Sequence, residues 1–180
     1  LYNKTKMIAE RVFLSYKDKI DIICIRPATV CGLSERLRLD LTVNKLTFDA
    51  FYKKKIFVNG GNQIRPNIHI KDLISAIDYL IFTKKKLRHN IFNAGFENLT
   101  ISEIAKKIKK RTGAKIKINK NKDIRSYRQD SSRLLKFGFK PKYNVGLAIN
   151  ELIHFFNSKS KFNFTKKNFN LQRMKELNIK

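Results

Sequence analysis

Four consecutive apolar side chains in Asp21-Ile-Ile-Cys-Ile25, followed at once by Arg26-Pro27, constrain this chain more than any other stretch. A strand with one wet face alternates apolar and polar residues, whereas an unbroken apolar run suits a parallel strand covered on both faces. Parallel neighbours need crossover connections, and those are usually helices. The flanking segments supply them. Asn3 to about Lys17 contains neither Gly nor Pro and puts Met7, Ile8, Val12, Phe13 and Tyr16 on one helical face.

Beyond Gly32 a polar loop, Leu33 to Asp40, long enough to be a substrate loop and equally able to be a plain connector, leads into a helix from about Leu41 to Lys53 and a short strand, Lys55-Ile-Phe-Val58. Asn59-Gly-Gly-Asn62 reads as a turn and Asn67-Ile-His-Ile70 as a brief strand. Asp72 is the expected cap of the next helix, whose apolar face is Leu73, Ile74, Ile77, Leu80 and Ile81. Asn90-Ile-Phe-Asn-Ala-Gly95 reads as a further buried strand. Thr100-Ile-Ser-Glu103 is a capping box for a helix with Ile101, Ile104, Ala105 and Ile108 inward, closed by Gly113. Lys115-Ile-Lys-Ile118 alternates as a strand, Asp130 to Gly138 forms a short helix, and Asn144 to Phe156 forms a longer one. From Asn157 onward Lys, Asn and Phe follow one another irregularly, a basic tail that the sequence ties to no core, although Leu171 to Leu177 has the makings of a short helix. The class is α/β.

Charge admits two readings. A formal net charge of +26 over 180 residues fits an electrostatic footprint for RNA or an anionic surface, and it equally fits lysine enrichment spread over the whole sequence. Lysines occur in nearly every segment and gather in no aromatic-interleaved stripe, which favours the second and makes nucleic acid an unexpected partner. Cys24 and Cys31 have neither disulfide-framework nor zinc-site spacing, so a reduced, cytoplasmic compartment is the simplest reading and no metal is expected. His69, His89 and His154 are scattered. No apolar run approaches the roughly 20 residues of a membrane-spanning helix.

Chemistry concentrates in Leu1-Tyr-Asn-Lys-Thr-Lys6. Tyr2 and Lys6 share a helix face at a spacing of i and i+4. At ~5 Å and an effective dielectric of ~20, the ammonium favours the phenolate by ~3 kcal/mol, lowering the tyrosine pKa by ~2. That makes an acid/base pair out of an ordinary phenol. A chance pair on a solvated helix face has the same pattern, so the motif decides nothing alone. Ligands in open α/β sheets sit at the carboxyl ends of the strands, which places Arg26, Pro27, Ala28 and Val30 near one.

Taken in order, the Tyr2-x-x-x-Lys6 helix, Ile25-Arg-Pro-Ala-Thr-Val-Cys-Gly32, Asn59-Gly-Gly-Asn-Gln-Ile-Arg65 running into Asn67-Ile-His-Ile-Lys-Asp72, and Arg125-Ser-Tyr-Arg-Gln-Asp-Ser-Ser132 resemble one family. It is the extended short-chain dehydrogenase/reductase family, specifically the carboxyl-terminal half of its NAD-dependent nucleotide-sugar epimerases and dehydratases. The resemblance covers roughly residues 1–156 and leaves 157–180 as tail. It implies the carboxyl-terminal part of a Rossmann-like doubly wound parallel sheet with an interleaved, smaller α/β substrate-binding lobe. The Gly-rich dinucleotide loop and the family's Ser or Thr partner have no counterpart here, so the chain is expected to be a fragment, inactive alone. Asn59-Gly-Gly-Asn62 lacks the strand-to-helix setting that aims amides at a pyrophosphate.

By position the resemblance makes Tyr2 the acid/base and Lys6 its partner at the nicotinamide ribose, with Pro27 and Val30 along the nicotinamide. Arg65 would pair with the nucleotide diphosphate, Arg125 and Arg128 would close over the nucleotide, and Arg26 and Asn44 would lie near the sugar. NAD is the implied cofactor, NADP an alternative, a nucleotide sugar the substrate, and a homodimer through the first helix the assembly. Pro66 stands where many relatives carry an acidic residue, and Arg26 where epimerases carry Asn, which leaves sugar and reaction open. Two other readings stay beside this one: a basic RNA- or anionic-surface-binding module, and a non-catalytic remnant of the family.

Overall fold

The computed structural model describes residues 2–86, 89–119, 125–158 and 165–178. Helix α1 (Tyr2–Leu14) precedes β1 (Cys24–Pro27), which pairs in parallel with β5 (Ile91–Ala94), Cys24 opposite Ile91 and Pro27 opposite Ala94. The strand therefore runs through Arg26-Pro27, where the sequence suggested its end. Proline is tolerated at this last position, because the ladder resumes at the next amide: Ala28 N–H donates to Ala94 O at 2.8 Å.

A second sheet joins β2 (Thr29–Cys31) in parallel to β4 (Ile64–His69), which pairs antiparallel with β6 (Glu97–Thr100). A third joins β3 (Lys55–Asn59) in parallel to β7 (Lys115–Asn119). Against β3 pack α2 (Thr42–Lys53) and α4 (Ile101–Thr112), and α6 (Val145–Ser158) packs on those two helices, burying Val43, Ala50, Ile56, Ile104, Ile108 and Ile149 in one core. Around β5 lie α3 (Ile70–Phe82) and α5 (Ser132–Phe137), with Ile68, Leu80, Phe92, Leu134 and Phe139 between them. A third cluster, Leu37, Leu39, Leu152 and Phe156, sits under the 33–40 loop and takes in Phe169, just before α7 (Asn170–Glu176).

Helix α4 follows its sequence signals. Thr100 Oγ1 accepts from Glu103 N–H, the Glu103 carboxylate accepts from Thr100 N–H, and Gly113 closes the helix at φ 68°. Helix α3 does not. Its cap is His69, whose Nδ1 accepts from Lys71 N–H at 3.1 Å, and Asp72 is buried one turn further in. There the buried Asp72 carboxylate accepts from Lys142 N–H and Tyr143 N–H, both at 2.9 Å, and so finds partners for its own oxygens in a loop 70 residues on. The expected apolar faces also part company with burial: Ile74, Ile77 and Ile81 of α3, and Met7, Ile8, Val12 and Phe13 of α1, are exposed. What fastens α1 is polar, a bidentate contact from Arg26 to Glu10 at 2.5 and 2.8 Å.

Candidate active site

Two clefts adjoin along the ends of β2 and β4 and share the side chain of Tyr127. The larger, about 820 Å³, runs along Pro27-Ala-Thr-Val-Cys-Gly32 and is walled by Ser34, Arg36, Arg38, Asn44 and Arg128. The smaller, about 700 Å³, contains Asn3 of the first turn of α1 together with Arg65, Arg125, Asn59 and Gln63. Burial pushes the Cys31 thiol up to about 12, so this cysteine in the cleft wall is an inert apolar group and no nucleophile.

The segment crossing both clefts is 125–131, extended and held at nearly every residue. Ser126 Oγ accepts from Ile64 N–H, Gln129 and Asn98 exchange bonds at 2.9 and 3.1 Å, and Ser131 Oγ bonds both the amide and the carbonyl of Gly95. Gln129 Nε2 also donates to Arg26 O at 2.8 Å. Gly95 must be glycine, because a Cβ there would stand 2.5 Å from that of Ala28 and 2.4 Å from Gln129 Oε1. So fixed, the segment delivers Arg125 to one cleft and Arg128 to the other. Arg65, 9% exposed, donates through Nη1 to Ile64 O and Arg125 O and lies 5.4 Å over the Tyr127 ring. A planar cation held by backbone carbonyls and an aromatic face is preorganised for an anion entering from the cleft.

Of the residues singled out by sequence, Pro27, Val30, Asn44 and Arg128 border the larger cleft and Arg65 and Arg125 the smaller. Lys6 is exposed on α1, three residues beyond Asn3. Tyr2 opens α1, but its side chain lies outside the described residues. The Arg26 guanidinium turns away to Glu10, whose carboxyl it holds below the usual carboxylate range, and borders a separate depression of about 220 Å³ with Asn93 and Asp130. Asn44 is a clasp: Oδ1 accepts from Gly32 N–H at 3.0 Å, and Nδ2 donates to Gly32 O and Arg38 O. Arg36, Arg38 and Tyr127 were not assigned from the sequence, although the 33–40 loop was long enough for a substrate loop and Tyr127 stands in the 125–132 motif; nothing in the loop distinguishes its arginines from the many others.

The Gly60-Gly61 turn is no phosphate cradle. Gly60 N–H donates to Asn119 O and Gly61 N–H to Gln63 Oε1, so both amides are taken. Among the described residues no cluster has the makings of a metal site, and no helix is long and apolar enough to cross a membrane. A dinucleotide fits these residues at one end only. Pro27, Ala28 and Val30 give an apolar stretch of wall suited to a nicotinamide ring, while the Gly60-Gly61 turn has no free amide for a pyrophosphate.

A family described as the NAD dependent epimerase/dehydratase family matches residues 1–95. Among solved structures, a UDP-N-acetylglucosamine 4-epimerase from Bacillus cereus superposes at a TM-score of 0.74 with 23% identity, covering 89% of this chain and 55% of that one. The UDP-glucuronic acid 4-epimerase of Bacillus cereus, in complex with UDP-glucuronic acid and NAD, gives 0.73 at 22% identity over 87% of this chain and 52% of that one. RMD from Pseudomonas aeruginosa, complexed with NADPH, gives 0.74 at 16% identity, covering 87% and 56%. The chain spans about half the length of these proteins, and what it shares with them is a Rossmann-like α/β fold built on parallel strand pairs.

Proposed function

This chain belongs to the NAD dependent epimerase/dehydratase family, and from that premise we propose that it is the catalytic and substrate-binding half of an enzyme that transiently oxidises a nucleotide sugar. One observation carries the reading. The first turn of α1, through Asn3, shares a cleft with Arg65 and Arg125, and that cleft adjoins the apolar wall of Pro27, Ala28 and Val30 across Tyr127.

In this reading Arg65, with Arg125 and Arg128, binds the diphosphate, as permanently charged planar forks are suited to do. The sugar extends toward Val30 and Gly32, where Asn44 keeps the loop in shape. Tyr2 takes the proton of the sugar hydroxyl and returns it, and Lys6 favours the phenolate and orients it. NAD, or NADP in its place, supplies the hydride acceptor and donor when bound. The rest of the dinucleotide site belongs to a Gly-rich half that continues the parallel sheet at the second edge of β1. That assignment agrees with relatives about twice as long, and it makes the isolated chain inactive. The reading also carries a homodimer through the exposed face of α1 and work in a reducing, cytoplasmic compartment. Oxidation at the sugar is the common first step of epimerase and dehydratase alike, so the residues present commit to that step only.

The test joins this chain to a dinucleotide-binding half and follows turnover of UDP- and dTDP-hexoses. Tyr2→Phe is expected to lower kcat by about 10²–10⁴-fold while nucleotide-sugar binding persists. Turnover undiminished by that substitution sinks the assignment.

A further inference from the structure

The loop Leu33 to Asp40 forms one wall of the larger cleft and brings Arg36 and Arg38 to it. A polar loop with no ladder of its own owes its shape to whatever grips its backbone. On the inner side that grip is Asn44, which takes Gly32 on both its polar groups and Arg38 O at 3.0 Å. On the outer side it comes from far along the chain. Asn168 is 8% exposed; its Nδ2 donates to Leu37 O at 2.7 Å, its Oδ1 accepts from Thr165 N–H at 3.0 Å, and its own carbonyl accepts Leu39 N–H at 2.8 Å. Next to it Phe169 packs into the cluster of Leu37, Leu39, Leu152 and Phe156, and Asn170 Oδ1 accepts from Arg36 Nη2 at 2.8 Å.

We propose that Asn168 is a positioning residue for the ligand cleft, clamping the 33–40 loop from outside so that Arg36 and Arg38 hold their places in its wall. Consecutive carbonyls, Leu37 O and Arg38 O, are taken by Asn168 and Asn44, which fixes the two peptide planes that flank Arg38. With its backbone so held, Arg38 is aligned with Asp40, its Nε and Nη2 bonding the two carboxylate oxygens at 3.0 and 2.9 Å. The described residues bordering this cleft include three arginines and no carboxylate; Arg38 is already paired with Asp40 of the same loop, which leaves Arg36 and Arg128 as the uncompensated charges toward an anionic ligand, and the carboxyl-terminal segment sets how well the loop contributes.

The clamp is independent of what the ligand is, and only the affinity arm rests on the nucleotide-sugar reading. In the full chain, trypsin cleavage after Arg36 and Arg38 is followed by mass spectrometry. Asn168→Ala is expected to speed both cuts about tenfold, since it opens the grip on Leu37. Asn168→Asp keeps the shape and the bond from Thr165 but sets a carboxylate against Leu37 O, and it is expected to do the same. A residue that merely fills space would tolerate the aspartate. The milder Asn170→Ala releases the Arg36 side chain alone and is expected to leave the cut after Arg38 unchanged. In calorimetry with UDP and with dTDP, Asn168→Ala is expected to weaken binding about tenfold, and to weaken it no further once Arg36→Gln and Arg38→Gln are both present. Cleavage rates unmoved by both Asn168 variants overturn the clamp, and faster cleavage with unchanged affinity overturns its role at the cleft. Accelerated cleavage in a chain that binds neither nucleotide keeps the clamp and removes the nucleotide-sugar reading instead.

Discussion

Helices α3 and α4 carry the same kind of message in sequence, apolar residues at helical spacing, and meet different fates. In α4, Ile101, Ile104, Ala105 and Ile108 are all buried, packed among α2, α6 and β3. In α3, Ala76 and Leu80 are buried while Ile74 stays 52% and Ile81 61% exposed, and β1 nearby has a strand partner on one edge only among the described residues. Periodicity states which face of a helix is apolar. It says nothing about whether anything covers that face, because cover is a property of the neighbours.

The largest effect expected from this contrast is in the core around α4. Ile104→Ala should cost about 2–5 kcal/mol in urea denaturation, since its surroundings are filled on every side and a cavity would remain. A loss below about 1 kcal/mol would show that this core collapses easily and that the two helices differ less than their burial implies. A smaller loss comes from the contact between α3 and the loop that precedes α6. Asp72→Ala strands Lys142 N–H and Tyr143 N–H, and the expected cost is about 1–3 kcal/mol, with faster amide exchange at those two positions. Unchanged exchange there would mean that water replaces the carboxylate and that the contact is not sealed.

How much of this was legible beforehand divides along the same line. Local signals were clear: the capping box at Thr100, the glycine stop at Gly113, and the strands at Ile91 and Lys115. Four ordered motifs likewise pointed to the family, and the matching of residues 1–95 agrees. What escaped was whatever depends on distant partners. Asp72 was read as a cap because a cap is a local device, whereas its partners lie some 70 residues on. The Arg26 guanidinium was read toward a ligand, and in the folded chain it pairs with Glu10, 16 residues upstream. Asn168 looked like one more asparagine in a basic tail, and only the folded chain puts Leu37 against it. The cleft arginines at 36 and 38 were invisible for a related reason: in a chain with 40 Lys and Arg, residue type alone singles out none of them.

The smallest expected effect is also the sharpest test of the comparison, because it asks for nothing to happen. Ile81→Ser removes a large aliphatic side chain from α3, and in a buried setting that would cost several kcal/mol, as at Ile104. At 61% exposure little apolar area is withdrawn from water in the folded state, and serine is close to isoleucine in helix propensity. Stability should therefore shift by less than about 0.5 kcal/mol, while binding of an apolar dye such as ANS to the chain should fall. If Ile81→Ser instead destabilises the chain as strongly as Ile104→Ala, then α3 is covered in solution, by a second copy or by the chain's own folding over it. Measuring the loss at several protein concentrations separates those two, since only cover by a second copy makes stability depend on concentration.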